Sequence, residues 1–550
     1  MAHTAHSHIT SYTNNNSRHL PALHSHSSLH HTLIISLFFS LHLPDSINQI
    51  PFSSLSFPFL SHSPFSLLSS SPFPPLPLLQ HISTINMPDS QPKSPKVIIA
   101  GAGLTGLTMA ILLEKAGIEY QVLERSSDVQ QTLGGAIILS FNVMPLMEQL
   151  GILDQIEAIS YAIETTMIYK EDMEVIREIN LRSNRKMVGH GTQVIPRPQL
   201  HAILLALIPK EKILVNKSIE SLVQDADSVT VTCEDKSTYT ADILIGADGT
   251  DSGTRRALYK DMEKDGITPK IIEEENKTLY MSVFGTTDPM DPANFEGLDD
   301  DCTRCDTVVG EERGLTYRTF IIPNNRVSWR VDFQSSEMDP EWVEGYKNAD
   351  YKAFDLKKLP ERWRGRELAM MGTLGVLFDN TPQDKICKVV LEENIYENWK
   401  HGRTVLIGDA AHRLLPGFAL EGMLDAVVLS NILYEMPTSN QKNISKALDE
   451  FVEERSPSPR RELSPAQQAT HVMFGRTWLD VAGRYLLLKL VPRYFKEKSR
   501  DYINYYRPQA AFLPRIPSRG ENPSTPQRFS KKYAASIKNK AASDSTAATV

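Results

Sequence analysis

The chain has 550 residues, of which 41% are hydrophobic, 8% aromatic and 23% charged; this ordinary globular balance argues against collagen-like, wholly disordered and disulfide-scaffold proteins. A formal net charge of −8, from 58 basic and 66 acidic residues, gives no electrostatic case for nucleic acid. Only four cysteines occur, at 233, 302, 305 and 387, which suits a reducing compartment better than a secreted, cross-linked protein.

Residues 1–86 differ from the rest. Arg18 and Asp45 are their only formally charged side chains, yet 11 of the 16 histidines fall here, among Ser, Leu, Pro and Phe. Prolines at this density oppose a regular helix or a paired strand. The apolar run Thr32 to Leu43 resembles a signal-peptide core but is too short to span a bilayer, and Pro44-Asp45 ends it. A mitochondrial presequence would be rich in Arg. The expectation is a disordered extension, or an upstream segment not normally translated, with Met87 placed where a chain could start.

Lys96 to Ala100 is a short apolar run with the pattern of a buried parallel strand. It enters Gly101-Ala102-Gly103-Leu104-Thr105-Gly106, a G-x-G-x-x-G, and then a predicted helix from Leu107 to Ala116 closed by Gly117. Glu119 to Leu123 reads as a second strand with Glu124 at its end. Gly101 permits the tight turn, Gly103 lets a pyrophosphate approach the backbone, and Gly106 lets helix and strand pack closely. The start of the helix offers N–H groups and a positive dipole end to phosphates. Glu124 lies where a carboxylate binds ribose hydroxyls. Strand, turn, helix and acidic residue in this register predict dinucleotide binding, without separating FAD from NAD.

Two later runs have the same character. Asp242 to Ile245 is a strand leading into Gly246-Ala247-Asp248-Gly249, with Ser252, Arg255 and Arg256 on a short helix beyond. Arg403 to Ile407 is another, leading into Gly408-Asp409-Ala410-Ala411-His412, with a helix from about Glu421 to Tyr434. Each puts a carboxylate at the C-terminal edge of a strand, where open α/β sheets bind ligands.

In this order and at these separations the three runs resemble the FAD-dependent aromatic hydroxylase superfamily (the group A flavin monooxygenases). Within it the chain is most similar to fungal enzymes related to salicylate hydroxylases and terpenoid epoxidases. The resemblance extends from about Lys96 to Arg461. It implies that Gly101, Gly103 and Gly106 cradle the FAD pyrophosphate and that Glu124 holds the adenosine ribose. Gly135 matches a segment passing close to the flavin, and Arg197, in Arg197-Pro198-Gln199-Leu200-His201, an arginine that contacts the cofactor. Asp248 and Gly249 match a motif linked to both FAD and NAD(P)H, and Asp409 an aspartate that binds the ribityl chain. NAD(P)H binds only transiently in this family, so the single G-x-G-x-x-G does not argue against its use.

The chain departs from the family pattern in one place. Pro416 to Ala426 is about three residues shorter than the usual glycine-rich loop, and bulky Phe418 and Leu420 stand where close approach to the flavin is expected. Two alternatives therefore stay open: an FAD-binding protein without turnover, acting as a scaffold or a defective copy, and a flavin oxidase or dehydrogenase.

Other candidates carry less chemistry. Cys302-Thr303-Arg304-Cys305 lacks the two further ligands a zinc site needs, so no metal is expected. His412 is read as positional rather than as a proton carrier, and His190, His201, His401 and His471 form no ligand pattern. Alternating runs such as Thr278 to Val283 and Arg326 to Val331 predict half-buried strands. Tyr280, Tyr317 and Trp329 on them are candidates for a substrate pocket or for ordinary core. Trp478 to Val491 is apolar and either docks on the body or rests on a membrane surface.

The expected fold is α/β: a Rossmann-like FAD-binding domain with a parallel sheet, interrupted by a β-rich substrate domain and followed by C-terminal helices. Residues 1–95 form the extension. The FAD-binding domain takes 96–163, 241–275 and 401–461, and the substrate domain takes 164–240 and 276–400. A helical region spans 462–513, and 514–550 is read as a disordered tail. The function implied by the resemblance is an NAD(P)H- and O2-dependent monooxygenase that hydroxylates or epoxidises a small organic substrate through a flavin hydroperoxide. Its expected setting is the cytoplasm, with peripheral membrane contact through the C-terminal helices left open and no nucleic-acid partner.

Overall fold

The computed structural model describes residues 94–269, 280–295, 297–310, 315–334, 352–370, 372–391, 394–413, 419–457 and 505–547. The expectations for residues 1–86, Phe418 and the apolar stretch 478–491 lie outside these residues.

The first strand, Val97–Ala100, is buried along its whole length. It pairs in parallel with Tyr120–Leu123 on one side and Ile243–Gly246 on the other. The six-stranded sheet runs in the order Lys400–His401, Thr404–Leu406, Ile243–Gly246, Val97–Ala100, Tyr120–Leu123, Ile213–Leu214. Every pairing is parallel except that of the edge strand Lys400–His401. Fully apolar strands are what a sheet covered on both faces requires. The helix Leu104–Ala116 starts at Gly103 and stops at Gly117, whose φ of +67° turns the chain out of the helix. It packs with the long helix Ala419–Glu435 in the core that surrounds this sheet.

A ten-stranded, mostly antiparallel sheet forms the second core. Its path is Lys352–Ala353, Cys387–Leu391, Tyr280–Thr286, Arg326–Gln334, Thr316–Ile322, Thr303–Val309, Tyr161–Lys170, Gln193–Pro196, Ala136–Leu139, with Val175–Asn180 beside Tyr161–Lys170. Period-two alternation sets its two faces. Val327, Trp329, Val331 and Phe333 point into a core with Trp363, Leu374, Leu377 and Phe378. Tyr317 joins them and donates to the Glu367 carbonyl at 2.8 Å, while the Trp329 indole donates to Thr381 Oγ1 at 2.8 Å. Of the aromatic pocket candidates, Tyr317 and Trp329 are therefore core.

The boundaries read from the sequence do not coincide with these sheets. Residues 213–241, assigned to the substrate domain, belong with the nucleotide-binding core. Ile213–Leu214 is the edge strand of the parallel sheet, and Leu222, Val229, Val231 and Cys233 of the next two strands pack into the same core. Buried Arg403 adds a polar tie, donating to the carbonyls of Asp225 and Asp242 at 3.1 and 3.0 Å. Conversely Ala136–Leu139, placed with the FAD-binding part, pairs with Gln193–Pro196 in the ten-stranded sheet.

The tail from 514 is also a correction, because residues 505–547 are ordered and end in a helix, Lys531–Ala547. Their composition supplies little core, but neighbouring helices supply partners. Gln149 and Ala510 exchange two hydrogen bonds, at 3.2 and 2.9 Å. Asn431 bonds Gln509 and Ala511 at 2.9 and 2.7 Å. Arg528 pairs with Glu450 and Glu454 on the helix Gln441–Arg455. The Phe512 and Tyr434 rings lie 5.0 Å apart. Low hydrophobicity alone could not reveal these long-range pairs.

A Cβ added at Gly106 would lie 2.0 Å from the Gly101 carbonyl oxygen, a backbone atom that cannot swing aside. Gly106→Ala is expected to lower stability by about 1–3 kcal/mol, seen as an earlier urea midpoint with an unchanged slope.

Candidate functional site

The C-terminal ends of the parallel strands open onto a cavity of about 830 Å3, well within the usual size of a ligand site. Seven of the nine residues expected at a cofactor site line it: Gly101, Gly103, Glu124, Arg197, Asp248, Gly249 and Asp409. Gly106 stands behind the wall, where it lets the helix approach the Gly101 carbonyl. Gly135 is not among the lining residues. Its carbonyl accepts the Arg197 N–H at 3.1 Å, and a Cβ there would meet the Phe284 ring at 2.7 Å.

Gly101 and Gly103 differ in what they permit. Gly101 has φ +98°, and a Cβ would fall 2.6 Å from the Ala247 carbonyl oxygen. Gly103 has an extended conformation, and a Cβ there would meet nothing within 4 Å, because it faces the cavity. No side chain caps the helix that Gly103 starts, and its first turn carries no acidic residue. Its N–H groups and positive dipole end are thus presented to an anion.

Two carboxylates brace their own loops. Glu124 accepts the Ala102 N–H at 2.7 Å and the Ser126 N–H at 2.8 Å, joining the glycine turn to the end of the second strand. Asp248 accepts from Ser252 Oγ, and at 2.9 Å from both the N–H and Oγ1 of Thr254, at the start of the helix Gly253–Lys264. Buried His201 supports the glycine turn from behind, with Nε2 2.8 Å from the Ala102 carbonyl; burial holds its pKa below the ordinary imidazole value. The basic residues Arg125, Lys217 and Arg256 also line the cavity, with Asp251 among them. Sequence reading missed Lys217 because it follows the edge strand that had been assigned elsewhere.

Asp409 sits on a turn held from several directions. Arg255 donates to the Ala410 carbonyl at 2.9 Å and the Thr250 carbonyl at 2.6 Å, linking the two Gly-Asp turns, and stacks 3.9 Å from the Tyr396 ring centre. Asp425, on the helix Ala419–Glu435, accepts the Gly408 N–H at 2.9 Å and lies 2.6 Å from His412 Nε2. Its other oxygen accepts from Arg455 Nε at 2.7 Å, and Arg455 also pairs with Glu421. All four charged or titratable groups are buried. Burial opposes the charge of Asp425, yet His412 and Arg455 hold its carboxyl well below the usual range. Burial alone would lower the His412 pKa, but the Asp425 carboxylate raises it above its ordinary value. The His412 ring centre lies 5.1 Å from that of Trp399.

Leu420 is buried in the nucleotide-binding core. At Gly422 the same helix closes on the glycine turn, where a Cβ would lie 2.2 Å from Thr105 Oγ1 and 3.0 Å from the Gly408 Cα. Cys302 and Cys305 are free thiols, both with pKa values raised first by burial. Among the described residues no group of three or more His, Cys, Asp or Glu side chains is placed to hold a metal ion, and no helix is long and apolar enough to cross a membrane.

A parallel sheet, a glycine turn and a long polar cleft across the strand ends define a dinucleotide-binding α/β protein. Residues 94–282 match the family model described as FAD binding domain. Curated relatives include the FAD-dependent monooxygenase atmM of Aspergillus flavus, 27% identical over 77% of this chain and 88% of that protein. The FAD-dependent monooxygenase ptmM of Penicillium ochrochloron is 28% identical over 66% of this chain and 85% of its own length. Among solved structures, HpxO of Klebsiella pneumoniae complexed with FAD and uric acid has a TM-score of 0.59 at 21% identity, covering 74% of this chain and 97% of that one. A salicylate hydroxylase substrate complex has a TM-score of 0.53 at 18% identity, covering 72% and 93%. The family match and these relatives support the FAD-dependent aromatic hydroxylase superfamily, and with it an oxidoreductase of the FAD-dependent monooxygenase type.

The His412–Asp425 pair sets a pH dependence. A raised imidazole pKa contributes stability that is complete below the unfolded value, about 6.5, and is lost as pH rises through the folded value. Urea unfolding of the wild type is therefore expected to weaken between neutral and alkaline pH, and His412→Gln to flatten that decline. Asp425→Asn, which removes the counter-charge of a buried cation, is expected to cost about 3–5 kcal/mol at pH 7.

Proposed function

We propose that this protein uses NAD(P)H and O2 to hydroxylate or epoxidise a small organic substrate with FAD bound in the strand-end cavity. The observation that carries the reading is the convergence of Gly101, Gly103, Glu124, Arg197, Asp248 and Asp409 on one cavity, although they come from distant parts of the chain. FAD, when bound, supplies the redox and oxygen chemistry that no amino-acid side chain provides.

The residues have separable roles in this reading. The N–H groups beyond Gly103 and the basic side chains of Arg125 and Lys217 take the pyrophosphate. Glu124 keeps the glycine turn in shape and offers its remaining acceptor capacity to the ribose. Asp409 binds the polyol chain of the cofactor, and the buried His412–Asp425–Arg455 network keeps its turn in place. Arg197 and the Gly134-Gly135 segment hold the reacting end against the ten-stranded sheet. Exclusion of water over that end protects the oxygenating species from unproductive decay. A cytoplasmic setting suits the four cysteines, none of which is in a disulfide.

The deciding experiment follows the visible spectrum of the purified full chain, first after FAD loading and then anaerobically as NADPH or NADH is added with candidate substrates. Flavin that bleaches, followed by substrate-dependent oxygenated product in air, is the expected result. Flavin that stays oxidised under every condition overturns the monooxygenase assignment in favour of a binding protein without turnover. Reduction without oxygen insertion favours an oxidase or dehydrogenase. Gly103→Val gives a sharper check on the site. A Cβ at this position meets no protein atom within 4 Å and faces the cavity, so FAD affinity is expected to fall more than about tenfold, or ~1.4 kcal/mol, while the urea midpoint of the FAD-free protein stays unchanged.

A further inference from the structure

The face of the ten-stranded sheet opposite its aromatic core carries an unusual polar group. Ser328 lies on this face and its Oγ accepts the Ala136 N–H at 3.1 Å. Phe284, on the neighbouring strand, closes against Gly135. The face therefore begins at the Gly135 segment. Two residues further along the strand is Arg330, whose guanidinium lies 5.2 Å from the Phe284 ring centre, and two further again is Asp332.

Arg330 Nε donates to Asp332 Oδ1 at 2.6 Å, and Arg330 Nη2 donates to Ser282 Oγ at 3.0 Å. The strand register places Ser282 and Thr316 directly across from Asp332 on either side, and Arg318 across from Arg330. Such facing pairs have Cβ atoms about 5 Å apart on one side of the sheet. Three polar atoms in this patch are buried without a hydrogen-bond partner: Asp332 Oδ2, Arg318 Nε and Thr316 Oγ1. Asp332 and Thr316 are each only 1% exposed. Buried polar atoms are nearly always paired, and leaving one unpaired is destabilising. Two arginines, Arg318 and Arg330, face each other across the strand pair, and Asp332 pairs with Arg330. Neither strand needs these side chains for its packing, which is done by Tyr317, Trp329 and Val331 on the other face.

We propose that this patch recognises a hydroxyl group on a neutral substrate, a reading that rests on the flavin site proposed above. The unpaired atoms demand both hydrogen-bond roles in one place. Asp332 Oδ2 needs a donor and Arg318 Nε needs an acceptor, and one hydroxyl provides both. Thr316 Oγ1 serves in either role. A carboxylate suits the arginines but has no proton for Asp332 and is repelled by its charge. An ether or a plain hydrocarbon leaves Asp332 unpaired. Discrimination for a hydroxyl over its methyl ether is the expected signature of a site with buried polar atoms of this kind.

The test uses the FAD-loaded full chain and three probes on one skeleton: 2-naphthol, 2-methoxynaphthalene and 2-naphthoate at pH 7. Binding is read from the change each causes in the flavin visible band. The expected result is that 2-naphthol binds at least about tenfold more tightly than either analogue, the value of a hydrogen bond to a charged group. Thr316→Val, which keeps shape and β-branching, and Arg318→Met are both expected to reduce that preference while leaving FAD affinity unchanged. Equal binding of the three, preference for 2-naphthoate, no binding of any probe, or a preference that survives both variants overturns the proposal. Protein that takes up no FAD is recognised before any probe is added; it overturns the flavin reading and this proposal together.

Discussion

The structure depends on positions where a side chain would keep three segments apart. Gly106 touches the Gly101 carbonyl, Gly101 touches Ala247, and Gly408 and Gly422 close on Thr105. These contacts bring the glycine turn, the ends of two parallel strands and the helix Ala419–Glu435 within backbone distance of one another. A cleft across strand ends can bind an extended dinucleotide only if its floor is this thin. Adding even one methyl group at Gly101 or Gly106 requires a backbone shift, since the obstructing atoms there are main-chain atoms, and at Gly408 or Gly422 it meets the Thr105 side chain.

Around that junction, charge replaces flexibility. The turns bearing Asp248 and Asp409 are fixed by Ser252, Thr254, Arg255, Asp425, His412 and Arg455, through donors and acceptors that are mostly buried. A buried carboxylate with two cationic or potentially cationic partners and a backbone N–H is stable only when all are in place. The network therefore couples the long helix and its successor Gln441–Arg455 to the geometry of the cavity. Preorganisation of this kind means a bound cofactor meets positioned groups and does not have to order them on arrival.

The second sheet is divided by its own periodicity. One face is an aromatic core that needs no further explanation, and the other carries Ser282, Arg330, Asp332, Arg318 and Thr316 in register. From the sequence, Tyr317 and Trp329 drew the eye as pocket candidates because aromatic residues are large and noticeable. The structure turns them away from the Gly135 segment, and the polar residues beside them in the chain face it. Alternation was legible in the sequence, but not which phase faces the Gly135 segment. A period of two fixes that alternate residues share a face without naming the face.

The first strand, the glycine turn, its helix and the two later Gly-Asp turns were all determined by the sequence alone, because each rests on local rules: short apolar runs, φ demands on glycine, and a helix stop at Gly117. From them followed the fold class, while the family resemblance implied a shared site for Gly101, Gly103, Glu124, Asp248 and Asp409. Only the tertiary structure decided that residues 213–241 join the nucleotide-binding core, that the C-terminal residues are held by Gln149, Asn431, Glu450 and Glu454, and that Gly422 closes on Thr105 and Gly408. It also decided the partners of His412 and the orphaned atoms of the polar sheet face. Each of these is a contact between segments far apart in the chain, set by packing and complementary charge, and neither composition nor periodicity records which distant partner a side chain will meet.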